Sequence, residues 1–104
     1  MFNITFYIAG VQHHQMHGVL NLLRVEDTFV LTAEPTNKYD PNAVRIEDHR
    51  AEGVTMCGYV PKKFSSEVSA MLTIGKPLTC KITELFPDRK PWEQCKVTIE
   101  EVAE

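Results

Sequence analysis

The sequence predicts a mostly β chain: a small, partly open barrel of about six short strands with one or two short helices. Three observations carry this. Apolar and polar residues alternate with a period of two in several stretches of the 104 residues. Clusters of Pro, Asn, Asp and Gly separate those stretches. A helical period shows clearly in one place only, after Pro61. Six strands in so short a chain leave exposed edges unless the sheet curls, and a small barrel of the OB-like or SH3-like kind is the economical solution.

The first strand places Phe2, Ile4, Phe6 and Ile8 on one side and Asn3, Thr5 and Tyr7 on the other, and Gly10 ends it. Val11 to His17 is polar and rich in His and Gln, a loop by composition. HGVLNLLRVED fits neither period and reads as a helical turn or two. Thr28 to Ala33 forms a second strand, with Phe29 and Leu31 on one face. EPTNKYDPNA is dense in turn formers. AVRIE is a third strand that points Val44 and Ile46 one way and Arg45 and Glu47 the other, and DHRAEG is a polar turn. VTMCGYV is a fourth strand, and Gly58 inside it marks a bulge or a close backbone approach.

Pro61 suits the first position of a helix, where its missing N–H is unpaired anyway. Phe64, Val68, Met71 and Leu72 then form one apolar stripe, and Gly75 followed by Pro77 ends the helix. LTCKITEL places Leu78, Cys80 and Ile82 inside. WEQCKVTIEEV places Cys95, Val97 and Ile99 inside and Gln94, Lys96 and Thr98 outside. The loop between these strands, FPDRKP, is basic and bounded by proline.

Length and composition set the class. At this length a single domain spanning residues 1–104 is expected, since two cores would each be too small. With 43% hydrophobic and 24% charged residues, disorder and collagen-like repeats are excluded. No apolar run approaches the roughly 20 residues of a membrane span. The first residues, MFNITFYIAG, lack the basic start and cleavage site of a signal peptide. A formal net charge of -3 argues against coating nucleic acid through bulk charge, yet allows a local basic pocket. Cys57, Cys80 and Cys95 are odd in number and contain no CxxC, so they read as buried, reduced thiols and a cytoplasmic setting is expected.

Three clusters carry possible chemistry. In Glu34–Ala43, Tyr39 and Asp40 sit side by side in a loop held by two prolines and two asparagines. A tyrosine ring offers a stacking face for a base, and an ionised carboxylate accepts from a hydroxyl such as a sugar 3′-OH while repelling a phosphate. The same residues also suit a plain structural turn in which Asn37 and Asp40 bond their own backbone, and residue types alone tilt toward that reading. In Gly58–Lys63, Lys62 and Lys63 stand beside the unpaired N–H groups of a helix start, an arrangement shared by anion sites and by solvated lysine pairs. In Gln12–His17, three imidazoles lie within five positions. Their spacing matches no zinc pattern, so no metal is expected, and a loop contacting a base or phosphate stands beside a plain surface loop. Trp92 is either a core plug or a second stacking platform. No GxSxG, Walker A loop or HExxH appears, so no enzyme activity and no cofactor are expected.

Several of these residues together match a known pattern. The first strand ending in Ala9-Gly10, the block EPTNKYDPNAV, the Gly58-Tyr59-Val60-Pro61 junction and the helix after it resemble the HIRAN domain, and the likeness covers nearly the whole chain. The HIRAN family includes modules of chromatin- and fork-remodelling helicases and stand-alone bacterial or phage proteins. The resemblance implies an OB-like barrel that captures the 3′ end of single-stranded DNA in DNA repair or replication-fork processing. It implies that Tyr39 stacks on the terminal nucleotide and Asp40 accepts from its 3′-OH. Asn37 belongs to the same block. Tyr59 and Lys62, with Lys63 beside them, face the end nucleotides and phosphate, and Trp92 resembles an aromatic on the last strand. Gln12 and His13, followed by His14, stand where helicase-linked members carry an Arg-Tyr pair, and Lys38 replaces the usual proline before Tyr39. Glutamine lacks the charged fork of arginine. These 104 residues carry no motor motif, so remodelling is expected to come from a helicase or nuclease acting in trans. The alternative is a protein-interaction module, for a phage or repair factor, without strong DNA binding.

Overall fold

The structure is a computed structural model that describes residues 2–11, 14–50 and 53–102. Its strands are β1 (Asn3–Tyr7), β2 (Thr28–Ala33), β3 (Val44–Asp48), β4 (Thr55–Tyr59), β5 (Leu78–Leu85) and β6 (Cys95–Glu101), and one helix, α1 (Lys62–Thr73), follows β4. The strand order is β1-β6-β5-β2-β3-β4, and every neighbouring pair is antiparallel. The sheet curls until its two ends meet at one point. There Ala9 and Tyr59 exchange both backbone hydrogen bonds, each 2.9 Å long. The result is a curled half-barrel of OB-like type with one helix.

That closure explains Gly58. A Cβ on Gly58 would lie 2.5 Å from the carbonyl oxygen of Ala9 and 2.5 Å from Cγ2 of Ile8, closer than real contacts allow. The β3–β4 register also shifts beside it, with Ile46 opposite Gly58 and Glu47 opposite Met56, so Cys57 is the extra residue of a bulge. Both meanings of a glycine within a strand apply at this position.

The inward faces form the core. Phe6, Ile8, Val44, Ile46, Cys57, Cys80, Ile82, Val97 and Ile99 are all buried, as the period of two requires. Helix α1 lays its stripe across this core: Val68 is fully buried, and Phe64 stacks on Phe6 with ring centroids 5.9 Å apart. Burying one such side chain contributes about 1.5–3 kcal/mol. The helix ends in a Schellman turn: Gly75, at φ +77°, donates to Leu72 and Lys76 donates to Met71.

Several sequence expectations need adjusting. Pro61 has extended backbone (φ -54°, ψ 144°) and precedes the helix, so Lys62 and Lys63 take its first two positions. The stretch after Val11 is not a plain polar loop. Val11 and Met16 are buried, and the Gln15 N–H docks on the carbonyl of Met56 in β4. The expected helical turns are two short 3-10 turns, Met16–Gly18 and Leu20–Leu22. Glu47 does sit on the outward face of β3 but is only 6% exposed. Arg45, Thr32 and His49 cover it and all bond to its carboxylate. Thr98 is likewise covered, sharing a hydrogen bond with Thr5 across the β1–β6 pair. Among the described residues no helix is long and apolar enough to cross a membrane.

Candidate functional site

The turn between β2 and β3 is built by Asn37. Its side-chain oxygen accepts from the N–H groups of Tyr39 (2.9 Å) and Asp40 (3.0 Å), an Asx turn that holds the next two residues in place. The carbonyl of Asp40 accepts from the N–H of Ala43, which returns the chain to β3. The turn leaves the Tyr39 ring 81% exposed, with the ammonium of Lys38 5.4 Å from its centroid. The structural turn and the presented ring are therefore two consequences of the same hydrogen bonds.

Asp40 is held from two sides. One carboxylate oxygen accepts from the N–H of Asn42 at 2.9 Å, and the other accepts from the hydroxyl of Ser65 at 2.8 Å. The Ser65 hydroxyl, the Asn42 amide and the charge of Lys62 hold the carboxyl below the usual aspartate range, so it is ionised at neutral pH. Each oxygen keeps a further lone pair for another donor. Ser65 is 1% exposed and joins helix α1 to the turn.

Tyr39 and Asp40 open onto a cavity of about 350 Å³. Asn37, Tyr39 and Asp40 line it from the turn, Tyr59 and Lys62 from the β4–α1 junction, and Ala9 and Gly10 from the barrel seam. The Tyr59 hydroxyl donates to Glu34 at 2.9 Å, and the same carboxylate oxygen accepts from the Asn37 amide at 2.7 Å. Burial and the Glu34 carboxylate push the Tyr59 phenol above its ordinary value, so it stays a neutral donor. His14 meets the Tyr59 ring edge-on, with centroids 5.4 Å apart.

Of the residues singled out in the sequence, Asn37, Tyr39, Asp40, Tyr59 and Lys62 come together at this cavity, and His14 packs against the Tyr59 ring without lining it. Lys63 does not line it; its ammonium lies 5.0 Å from the Phe64 ring. Trp92 sits in a short 3-10 turn (Pro91–Glu93) ahead of β6, is 48% exposed, and does not line the cavity either, so it is no core plug. Gln12 and His13 lie outside the described residues. Among the described residues no group of three or more His, Cys, Asp or Glu side chains is placed to hold a metal ion. Sequence reasoning missed Glu34 and Ser65. A signal existed for Ser65, since a hydroxyl on the same helical face as Val68 must find a buried partner. Glu34 gave none, because its partners come from β4 and from the far side of its own turn.

A curled β-barrel with a ring, an oriented carboxylate and a lysine around its mouth defines a small ligand-binding domain. More particularly, the chain belongs to the HIRAN domain family, whose model matches residues 1–102. Membership is consistent with a DNA-binding module, and the family is one of binding domains. The fold is shared with a crystal structure of a Lactobacillus plantarum protein determined by the Northeast Structural Genomics Consortium, at TM-score 0.78 and 18% identity, over 94% of this chain and 95% of that one. It is also shared with the crystal structure of the HIRAN domain of human HLTF, at TM-score 0.73 and 12% identity, over 93% of this chain and 72% of that one. No curated protein matches the chain.

Proposed function

We propose that this domain binds single-stranded DNA by its 3′ end, with the terminal base on Tyr39 and the terminal 3′-OH donating to Asp40. The observation that carries this reading is the pairing at the cavity wall: an exposed ring next to a carboxylate that is ionised, oriented from two sides and still able to accept. A terminal hydroxyl satisfies that carboxylate, whereas a phosphate there meets its charge at short range. Lys62, which lines the same cavity, suits the phosphate that links the last two nucleotides, beside the first N–H groups of α1. Such a module fits a role in DNA repair or replication-fork processing, with a helicase or nuclease supplied in trans.

Few phosphates are contacted in this reading, so the salt dependence is shallow, about 0.7 log units of affinity per log unit of salt for each phosphate. The test is an anisotropy titration with two oligonucleotides of one sequence, one ending in a 3′-OH and one in a 3′-phosphate. Tighter binding of the hydroxyl end supports the proposal, and equal affinity for the two sinks end reading. DNA-independent capture of a protein partner, together with no binding of either oligonucleotide, would favour the interaction-module alternative.

A further inference from the structure

Beyond the cavity, β1 carries a second aromatic surface. Tyr7 and Ala9 share parity on the strand, roughly 7 Å apart, so the surface at Tyr7 lies one strand repeat from the cavity wall. The Arg89 guanidinium donates to the Tyr7 hydroxyl at 3.3 Å and lies flat enough over Phe86 to bring its carbon 3.7 Å from that ring's centroid. Lys96 reaches within 5.6 Å of the Tyr7 centroid, and Lys90 within 5.5 Å of the Trp92 centroid. The loop bearing Arg89 is tied down by Gln94, whose amide donates to the carbonyls of Pro87 and Arg89. A guanidinium stacked on one ring keeps an open face for a base and further N–H donors for a phosphate.

The distribution of cations supplies an independent observation. The chain has 11 Lys and Arg against 14 Asp and Glu, so a cation finds a carboxylate easily. Arg45, Arg50, Lys76, Lys81 and Lys96 do so. Among the described residues the other six do not, and one of these, Arg24, directs its guanidinium to the carbonyls of Asn21 and Leu23. The remaining five are Lys38, Lys62 and Lys63 on the two segments that form the cavity walls, and Arg89 and Lys90 on this loop. Asp88 and Glu93 share the loop, so the surface is no bulk basic patch. What it offers is rings on which bases can stack, with cations placed beside them for the backbone.

We propose that the Tyr7–Arg89–Phe86 cluster, with Lys96 beside it, is a second nucleotide-binding surface that takes the nucleotides 5′ of the end held in the cavity. This rests on the end-capture reading, and the experiment separates the two. Anisotropy is measured with a dinucleotide and with a strand of about ten nucleotides, within the span of one such barrel. The longer strand is prepared with a 3′-OH and with a 3′-phosphate, and the proteins are wild type, Arg89→Gln and Tyr7→Ala.

The wild type is expected to bind the longer strand about ten-fold more tightly than the dinucleotide, the effect of one or two stacked bases. Both variants are expected to lose most of that gain while keeping the dinucleotide affinity and the preference for a 3′-OH, which also shows that they are folded. Tyr7→Phe, which removes only the hydroxyl that steadies Arg89, is expected to lose part of it. A length gain unchanged in Arg89→Gln and Tyr7→Ala overturns the second surface and leaves end capture standing. A length gain that depends on Arg89 in a protein blind to the 3′ group supports the surface and overturns end capture. No binding of any strand overturns both.

Discussion

Tyr59 donates its hydroxyl to the carboxylate oxygen of Glu34 that also accepts from the Asn37 amide. Through this one oxygen, β4, whose Tyr59 closes the barrel, is braced against the turn that presents Tyr39. Arg45 adds an ion pair to the other Glu34 oxygen at 3.5 Å and continues to Glu47 at 3.0 Å. The candidate site is thus anchored to the outer face of β3 as well as to the barrel seam.

Replacing Glu34 tests that brace. Glu34→Ala leaves the Asn37 amide and the Tyr59 hydroxyl without their acceptor, and about 1–3 kcal/mol of stability should be lost in urea unfolding. Glu34→Gln keeps the shape but removes the charge, so the Tyr59 phenol should titrate lower, toward its ordinary value, in an ultraviolet absorbance titration. The sign for stability follows from the raised phenol in the folded state. The contribution of Tyr59 is complete below the ordinary tyrosine value and is lost as pH rises through the folded value. An unchanged phenol titration in Glu34→Gln would break the link between the two residues.

Asp40 responds at the other end of the pH scale. Its folded value lies below 3.8 because of Ser65 first and Asn42 second. Its stabilising contribution is therefore complete above the unfolded value and is lost as pH falls through the folded one. Preference for a 3′-OH should stay flat between about pH 8 and pH 5, where the group remains ionised. In Ser65→Ala the Asp40 resonance followed by NMR should titrate closer to 3.8, the ordinary value. A preference that already fades near neutrality would assign the acceptor to some other group.

Gly58→Ala should strain the seam directly, since its Cβ meets the Ala9 carbonyl at 2.5 Å. Overpacking of this kind costs about 1–3 kcal/mol. Each kcal/mol lowers the melting temperature of a domain this size by roughly 4–8 °C. Because Ala9 and Tyr59 both line the cavity, oligonucleotide affinity should fall with stability. A variant with an unchanged melting temperature would mean that the seam opens at no cost.

The three thiols should be inert in the folded protein. Burial pushes Cys57 and Cys95 up to about 12 and Cys80 higher still. Thiolate is then scarce at neutral pH, and alkylation should follow unfolding rather than precede it. Rapid labelling by iodoacetamide under native conditions would contradict this packing.

Much of this fold is written in local patterns. The alternation of Phe6 and Ile8, Val44 and Ile46, and Val97 and Ile99 marks strands because each buried face repeats every second residue. Gly58 and Gly75 mark the seam and the helix end because side chains are excluded at one and disfavoured at the other. Val11 and Met16 escaped notice because isolated apolar residues in a polar segment have no period, yet both are buried. The site was legible where its parts are contiguous, as in Asn37, Tyr39 and Asp40. It was illegible where parts meet only in space. Glu34 with Tyr59 spans 25 positions, and Asp40 with Ser65 spans 25 as well. Arg89 meets Tyr7 across 82, a pairing that only the curled sheet creates.

The most direct measurement is a double-mutant cycle between the Asp40 side chain and the terminal hydroxyl. Affinities of wild type and Asp40→Ala are compared for one strand ending in a 3′-OH and the same strand ending in a 3′-hydrogen. A hydrogen bond to a charged acceptor predicts a coupling of about 1.5–3 kcal/mol between the two changes. A coupling near zero, with strand binding intact, would contradict the reading of Asp40 as the group that senses where the strand stops.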